Sequence, residues 1–85
     1  MKIKDIRLRE TNQTRTDGRY PLRIGSEVKL YHQPIIGEPM LLVYVKDNQG
    51  NPRSGTLRTS MVINVVENGK EIIVITYNSV YYLER

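Results

Sequence analysis

Residues 56–77 read TLRTSMVINVV, ENGK, EIIVITY: two β-type runs on either side of Asn68-Gly69. A two-residue hairpin loop of type I′ needs φ > 0 at both central positions, and Asn-Gly meets that demand at the lowest steric cost. With these residues as the loop, Glu67 faces Lys70 as an opposite-charge cross-strand pair. Counting outward, Val65 faces Ile72, Ile63 faces Val74 and Met61 faces Thr76 on one face. Val62 with Ile75 and Asn64 with Ile73 make the other. The first face reads as core and the second as partly covered. The stretch establishes a β-hairpin and carries no chemistry of its own.

Downstream, Asn78-Ser79 marks a second turn, and VYYL (80–83) a last short strand. A two-residue turn there sets Tyr81 against Thr76 and Leu83 against Val74 in the core, with Tyr82 beside Ile75 on the other face. Upstream, MLLVYV (40–45) is a continuous apolar run, too short for a helix, and reads as the most buried strand. Between them, Lys46–Gly55 is a polar loop of about ten residues, long for a hairpin connection and of the kind that often carries binding. QPIIGEP (33–39) is a loop whose Ile35-Ile36 pair is expected to plug one end of the core.

Toward the N-terminus, EVKLYH (27–32) alternates, with Val28, Leu30 and His32 on one face and Lys29 and Tyr31 on the other. A helical turn capped by Ser26 is the alternative there. YPLRI (20–24) reads as a short extended piece at a sheet edge, because Pro21 cannot donate to a ladder. Residues 11–19 are polar, with a turn signal at Asp17-Gly18, and form either the tip of a mobile basic arm or a disordered loop. In KIKDIRLRE (2–10), Ile6 and Leu8 share one face and Arg7 and Arg9 the other. Ile3 is out of phase, which predicts a bulge or a late strand start.

The 85-residue chain has no Cys, Ala, Phe or Trp and is rich in Val, Ile and Thr. The best helix former is absent and β-branched residues abound, so sheet is expected throughout. The length sets one domain, 1–85, with one small core. About five or six short strands must protect their edges, and a small barrel does this. An SH3-like, partly open all-β barrel is expected. An OB-like barrel is the alternative, disfavoured because Lys46–Gly55 is too short and polar for the helix that fold usually carries. A small chain without cysteine suggests the cytoplasm, and no apolar run is long enough to cross a membrane.

Residues 1–23 hold seven basic and three acidic residues, whereas residues 24–85 hold six of each. The whole excess lies in the first quarter. Such an excess marks either a solvated basic arm or a footprint for nucleic acid or an acidic partner. The candidate binding residues are Arg7, Arg9, Arg15, Arg19, Arg23, Arg53 and Arg58, whose guanidiniums suit bidentate phosphate contact, with Tyr31 and Tyr82, whose rings can stack on bases. Tyr44 and Tyr81 are assigned to the core. His32, the sole histidine, lacks an orienting acid, a nucleophile or fellow metal ligands and reads as a half-buried structural residue. Counting from Asp47, the calcium-loop positions for glycine and glutamate hold Pro52 and Arg58, so that pattern is absent. No phosphate-binding glycine loop occurs. No catalytic site, metal or cofactor is expected.

LRTSMVINVVENGKEIIVITYNSVYYLE (57–84), with Leu57-Arg58-Thr59-Ser60 before the strand and Thr76-Tyr77-Asn78-Ser79-Val80-Tyr81 at its close, resembles small uncharacterised β-rich proteins of bacteriophages and other mobile elements. The resemblance implies a bacterial or phage cytoplasmic setting and a β-rich fold, and assigns no site. Thr59-Ser60 and Asn78-Ser79 are expected to meet at the hairpin's open end and set the turn through side-chain hydrogen bonds. The functional expectation is a non-catalytic nucleic-acid-binding module. The alternative is a protein-interaction module or small inhibitor from a mobile element. A homo-oligomer through edge strands is compatible with both.

Overall fold

The computed structural model describes every residue from Met1 to Arg85. Six antiparallel strands follow one another: β1 (Lys2–Leu8), β2 (Glu27–Leu30), β3 (Pro39–Lys46), β4 (Thr56–Asn68), β5 (Glu71–Thr76) and β6 (Ser79–Glu84). One helical turn, α1 (Tyr20–Arg23), lies between β1 and β2. Each strand pairs with its sequence neighbour, and β1 closes the ring on β6. The β1–β2 seam is narrow, with Lys2 opposite Glu27 as its only ladder pair. The result is an all-β, partly open barrel. Its meander order is not the Greek key of an OB-fold, and Lys46–Gly55 holds no helix, which leaves the SH3-like description. No helix is long and apolar enough to cross a membrane.

The hairpin forms, but in another register. Asn68 pairs with Glu71, so the loop is Gly69-Lys70. Gly69 has φ +59°, and Asn12 is the only non-glycine residue with positive φ. One positive φ at the first loop position is the II′ pattern, which favours Gly there. The register therefore moves by two residues: Glu67 faces Ile72 and Val65 faces Val74. The Glu67–Lys70 pair is lost, and Arg85 Nη2 takes the Glu67 carboxylate at 2.6 Å instead. A shift of two preserves faces, so Ile72, Val74 and Thr76 remain buried.

The next turn behaves alike. Val74 faces Tyr81 and Ile72 faces Leu83, again two residues from the expected register. Thr76 Oγ1 causes this: it accepts the Ser79 N–H at 3.1 Å and donates to the Ser79 carbonyl at 2.9 Å, closing the loop on Tyr77-Asn78. Thr59-Ser60 and Asn78-Ser79 do meet, through Asn78 N–H donating to Ser60 Oγ at 3.2 Å.

Simple alternation fails in β4. Its ladder slips opposite Pro39/Leu41 and again between Val62 and Asn64. Each slip exchanges the inward and outward parities. Leu57, Thr59 and Val62 are consequently buried, while Met61 (49% exposed) and Ile63 (37%), both expected in the core, face outward. The bulged strand bends, which lets its 13 residues serve both β3 and β5.

Twelve buried residues from all six strands form the core. The slip expected in β1 occurs between Ile3 and Asp5, so Ile3 and Ile6 are both buried. β3 alternates, with Met40, Leu42 and Tyr44 inward; β6, not β3, carries the most buried residues. Ile35 (49% exposed) and Ile36 (65%) do not plug the core. Gly37 N–H donates to Val62 O, and Val62 N–H donates to Glu38 O, so the loop runs beside β4 with that pair outside. YPLR is a helical turn rather than extended. Pro21 lies in its first turn, where a missing N–H costs nothing, and Ile24 N–H closes on Tyr20 O at 3.2 Å. The segment expected as an arm folds back on β1, through Leu8 N–H to Gln13 O and Arg15 N–H to Ile6 O, both 2.8 Å.

Candidate nucleic-acid interface

That fold-back and the helical turn bring three chain segments to one region of the surface. Arg15 leaves the β1 fold-back, and its guanidinium carbon lies 3.8 Å from the centre of the Tyr20 ring. Arg23, at the end of α1, lies 4.8 Å from the same ring. From the β3–β4 loop, Arg53 lies 3.8 Å over Tyr44. At the end of β1, Arg9 lies 5.8 Å over Tyr77. A guanidinium over an aromatic face is held by the ring quadrupole without losing its charge.

Arg15, Arg53 and Arg9 are each held by hydrogen bonds as well. Arg15 donates Nη1 to Ser79 Oγ at 2.7 Å, and Nε and Nη2 to the Asp17 carboxylate at 3.0 and 2.6 Å. This contact fixes the fold-back against β6, and the Arg15 hydrogen bond holds Asp17 below the usual carboxylate range. Arg53 N–H donates to Val45 O at 3.0 Å. Its loop is braced by Asp47 Oδ1, which accepts the Gln49 and Asn51 N–H groups at 2.9 Å. Those bonds, led by the one from Asn51, keep the Asp47 carboxyl below its ordinary range, with the Arg53 charge adding to them. Arg9 Nη1 donates to Tyr77 O at 3.3 Å.

These side chains border two clefts. The first, about 660 Å³, is walled by Arg9, Arg15, Tyr20 and Tyr77, with Glu10 and Asn78 also lining it. The second, about 450 Å³, is walled by Arg19, Arg23, Arg53 and Tyr44 with Asp47. Tyr20, in the first, lies under Arg23, in the second, so the two adjoin. Tyr81 is buried, and burial pushes its phenol up. Tyr20 and Tyr44 act in the same direction, and Arg23 and Arg15 oppose them. The phenol therefore remains a neutral donor at ordinary pH.

Four salt bridges occur in the chain, and they occupy Lys4, Arg7, Arg15 and Arg85. Arg9, Arg19, Arg23 and Arg53 have no carboxylate at ion-pair distance. Five of the arginines singled out from the sequence, Arg9, Arg15, Arg19, Arg23 and Arg53, thus line the clefts.

The other four candidates lie elsewhere. Arg7 stacks on Tyr82 at 4.5 Å and lines neither cleft. Arg7 Nε donates to Asp5 at 2.8 Å. Burial opposes ionisation of Asp5, but hydrogen bonds from Arg7, Thr14 and the Ile6 N–H outweigh it and hold its carboxyl low. Arg58 borders a separate hollow with His32 and Glu38. Tyr31 stands edge-on to His32 at 5.9 Å, whose Nδ1 lies 2.7 Å from the Gln33 carbonyl. Sequence reasoning missed Tyr20 and Tyr77 and placed Tyr44 only in the core. The one local sign was Arg19-Tyr20-Pro21-Leu22-Arg23, where a helical turn sets Arg23 within reach of Tyr20.

No protein-family model, curated protein or solved structure matches this chain.

Proposed function

We propose that this barrel is a non-catalytic module that binds nucleic acid through the arginine–tyrosine clefts. One observation carries the reading: four arginines without a carboxylate partner converge on two adjoining clefts walled by tyrosine rings. A guanidinium stacked on a ring keeps its in-plane N–H donors free, in the fork that matches a phosphate. Because stacking has already restrained the side chain, contact costs less rotamer freedom. The exposed Tyr77 ring (64%) adds a surface on which a base can stack.

The test is titration of labelled single- and double-stranded DNA and RNA at low salt by fluorescence anisotropy. Binding is expected, and Arg9→Ala, Arg19→Ala, Arg23→Ala and Arg53→Ala together should weaken it for every sequence. Absence of binding to all four polymers at low salt overturns the proposal. Capture of a specific protein by the same surface would then support the interaction-module alternative.

A further inference from the structure

The two clefts differ in charge, and the difference matches the two halves of a nucleotide. In the first, Arg15 is already paired with Asp17, and Glu10 stands beside Arg9. Its charge is nearly balanced, and Leu8, Tyr20 and Tyr77 give it apolar walls. In the second, Arg19, Arg23 and Arg53 meet one carboxylate, Asp47, whose Oδ1 is already engaged by two backbone N–H groups. The first cleft suits a flat, neutral, aromatic group and the second an anion. Arg15 and Arg23, one from each cleft, reach the same Tyr20 ring at 3.8 and 4.8 Å. Their guanidiniums are no farther apart than the sum of those distances, within the span of one nucleotide.

Building on the nucleic-acid reading, we propose that the clefts divide one nucleotide of a single strand, guanine in the first and its phosphate in the second. A base enters such a pocket only when it is unpaired and unstacked, which excludes an intact duplex. The preference follows from Glu10, whose carboxylate has no ion-pair partner. An ionised carboxylate only accepts hydrogen bonds. Guanine alone offers two adjacent donors, N1–H and the N2 amino group, on its Watson–Crick edge. Adenine and cytosine offer one amino group beside a ring acceptor, and thymine or uracil sets its single N–H between two carbonyls that repel a carboxylate. Asn78 lies in the same cleft, with its backbone fixed by Ser60 Oγ at 3.2 Å and by the Arg9 N–H at 3.3 Å. Its amide is a donor for guanine O6.

The experiment compares short labelled oligothymidylates carrying one central guanine, adenine or cytosine with the all-thymine strand. Guanine should bind about tenfold more tightly than thymine, the scale of one bidentate base contact. Glu10→Gln should erase that preference while all four strands still bind. Arg23→Ala with Arg53→Ala should weaken all four strands alike. Equal binding of the four strands, or a guanine preference that survives Glu10→Gln, overturns this inference and leaves the nucleic-acid reading standing. Failure of every strand to bind overturns both.

Discussion

Removing cations from the clefts should change the salt dependence of binding by a predictable amount. Arg9, Arg19, Arg23 and Arg53 line the clefts without a carboxylate partner, so four cations are free to neutralise phosphates along a bound strand. For a single strand the slope of log Kobs against log salt is about −0.7 per phosphate, or about −3 here. Raising salt from about 50 to 200 mM should then weaken binding about 50-fold. Arg23→Ala with Arg53→Ala removes half of the set, so the slope should fall to about −1.4 and the same change in salt should cost only about sevenfold. Arg58→Ala is the control, since it deletes one arginine in a separate hollow and should leave the slope unchanged. Arg53→Lys keeps the charge but loses the planar fork over Tyr44, so the slope should hold while affinity falls. The assay is anisotropy over a salt series, with circular dichroism to confirm that each variant is folded. A slope untouched by the double variant, or lowered as much by Arg58→Ala, refutes the reasoning.

Three further outcomes are expected. Gly69→Ala should destabilise the barrel by about 1 kcal/mol in urea unfolding: the added methyl meets nothing within 4 Å, so the left-handed backbone alone costs about 1–2 kcal/mol, offset in part by a less flexible unfolded chain. Asp5 has a depressed carboxyl pKa, so its stabilisation is present above the unfolded value of about 3.9 and is lost as pH falls through the lower folded one. Asp5→Asn should therefore be less stable at neutral pH and lose less on acidification, as read by urea midpoints across that range. Tyr81 has a raised pKa, so its contribution is complete below about pH 10 and is lost as pH climbs toward the folded value. Tyr81→Phe should flatten the alkaline loss of stability in thermal unfolding.

The fold class was legible because composition and alternation act locally. Ile72, Val74, Tyr81 and Leu83 could be placed inward by period alone, and a two-residue register error left their faces intact. Register itself was not legible. It depends on whether Gly69 occupies the first or second loop position and on where the Thr76 hydroxyl finds its partner, choices that the rest of the sheet decides. The slips in β4 were hidden for the same reason. Met61 and Ile63 fit the alternation of an unbulged strand, and nothing near them announces that the ladder shifts. For the site, the arginines were visible as a charge excess, but their tyrosine partners were not. Arg53 lies in the loop that follows Tyr44's strand and folds back over its ring, and Arg9 and Tyr77 come from opposite ends of the chain.

The placement of charge argues that the clefts are more than a by-product of folding. Three of the eight arginines, Arg7, Arg15 and Arg85, hold a carboxylate. Of the five that do not, four border the two clefts and only Arg58 lies elsewhere. Like charges gathered in one place repel, and a fold shaped by stability alone gains by spreading or pairing them. Ring stacking holds Arg9, Arg23 and Arg53 in place without neutralising them, so it fixes geometry and leaves the repulsion unrelieved. Asp47 and Glu10 offset only part of it, and a bound polyanion would offset the rest. The fold-back of residues 9–16, the single turn of α1 and the braced loop at Asp47 lie outside the strands, and each delivers arginine to this surface. Of the arginines without a carboxylate partner, all but Arg58 on β4 lie outside the strands.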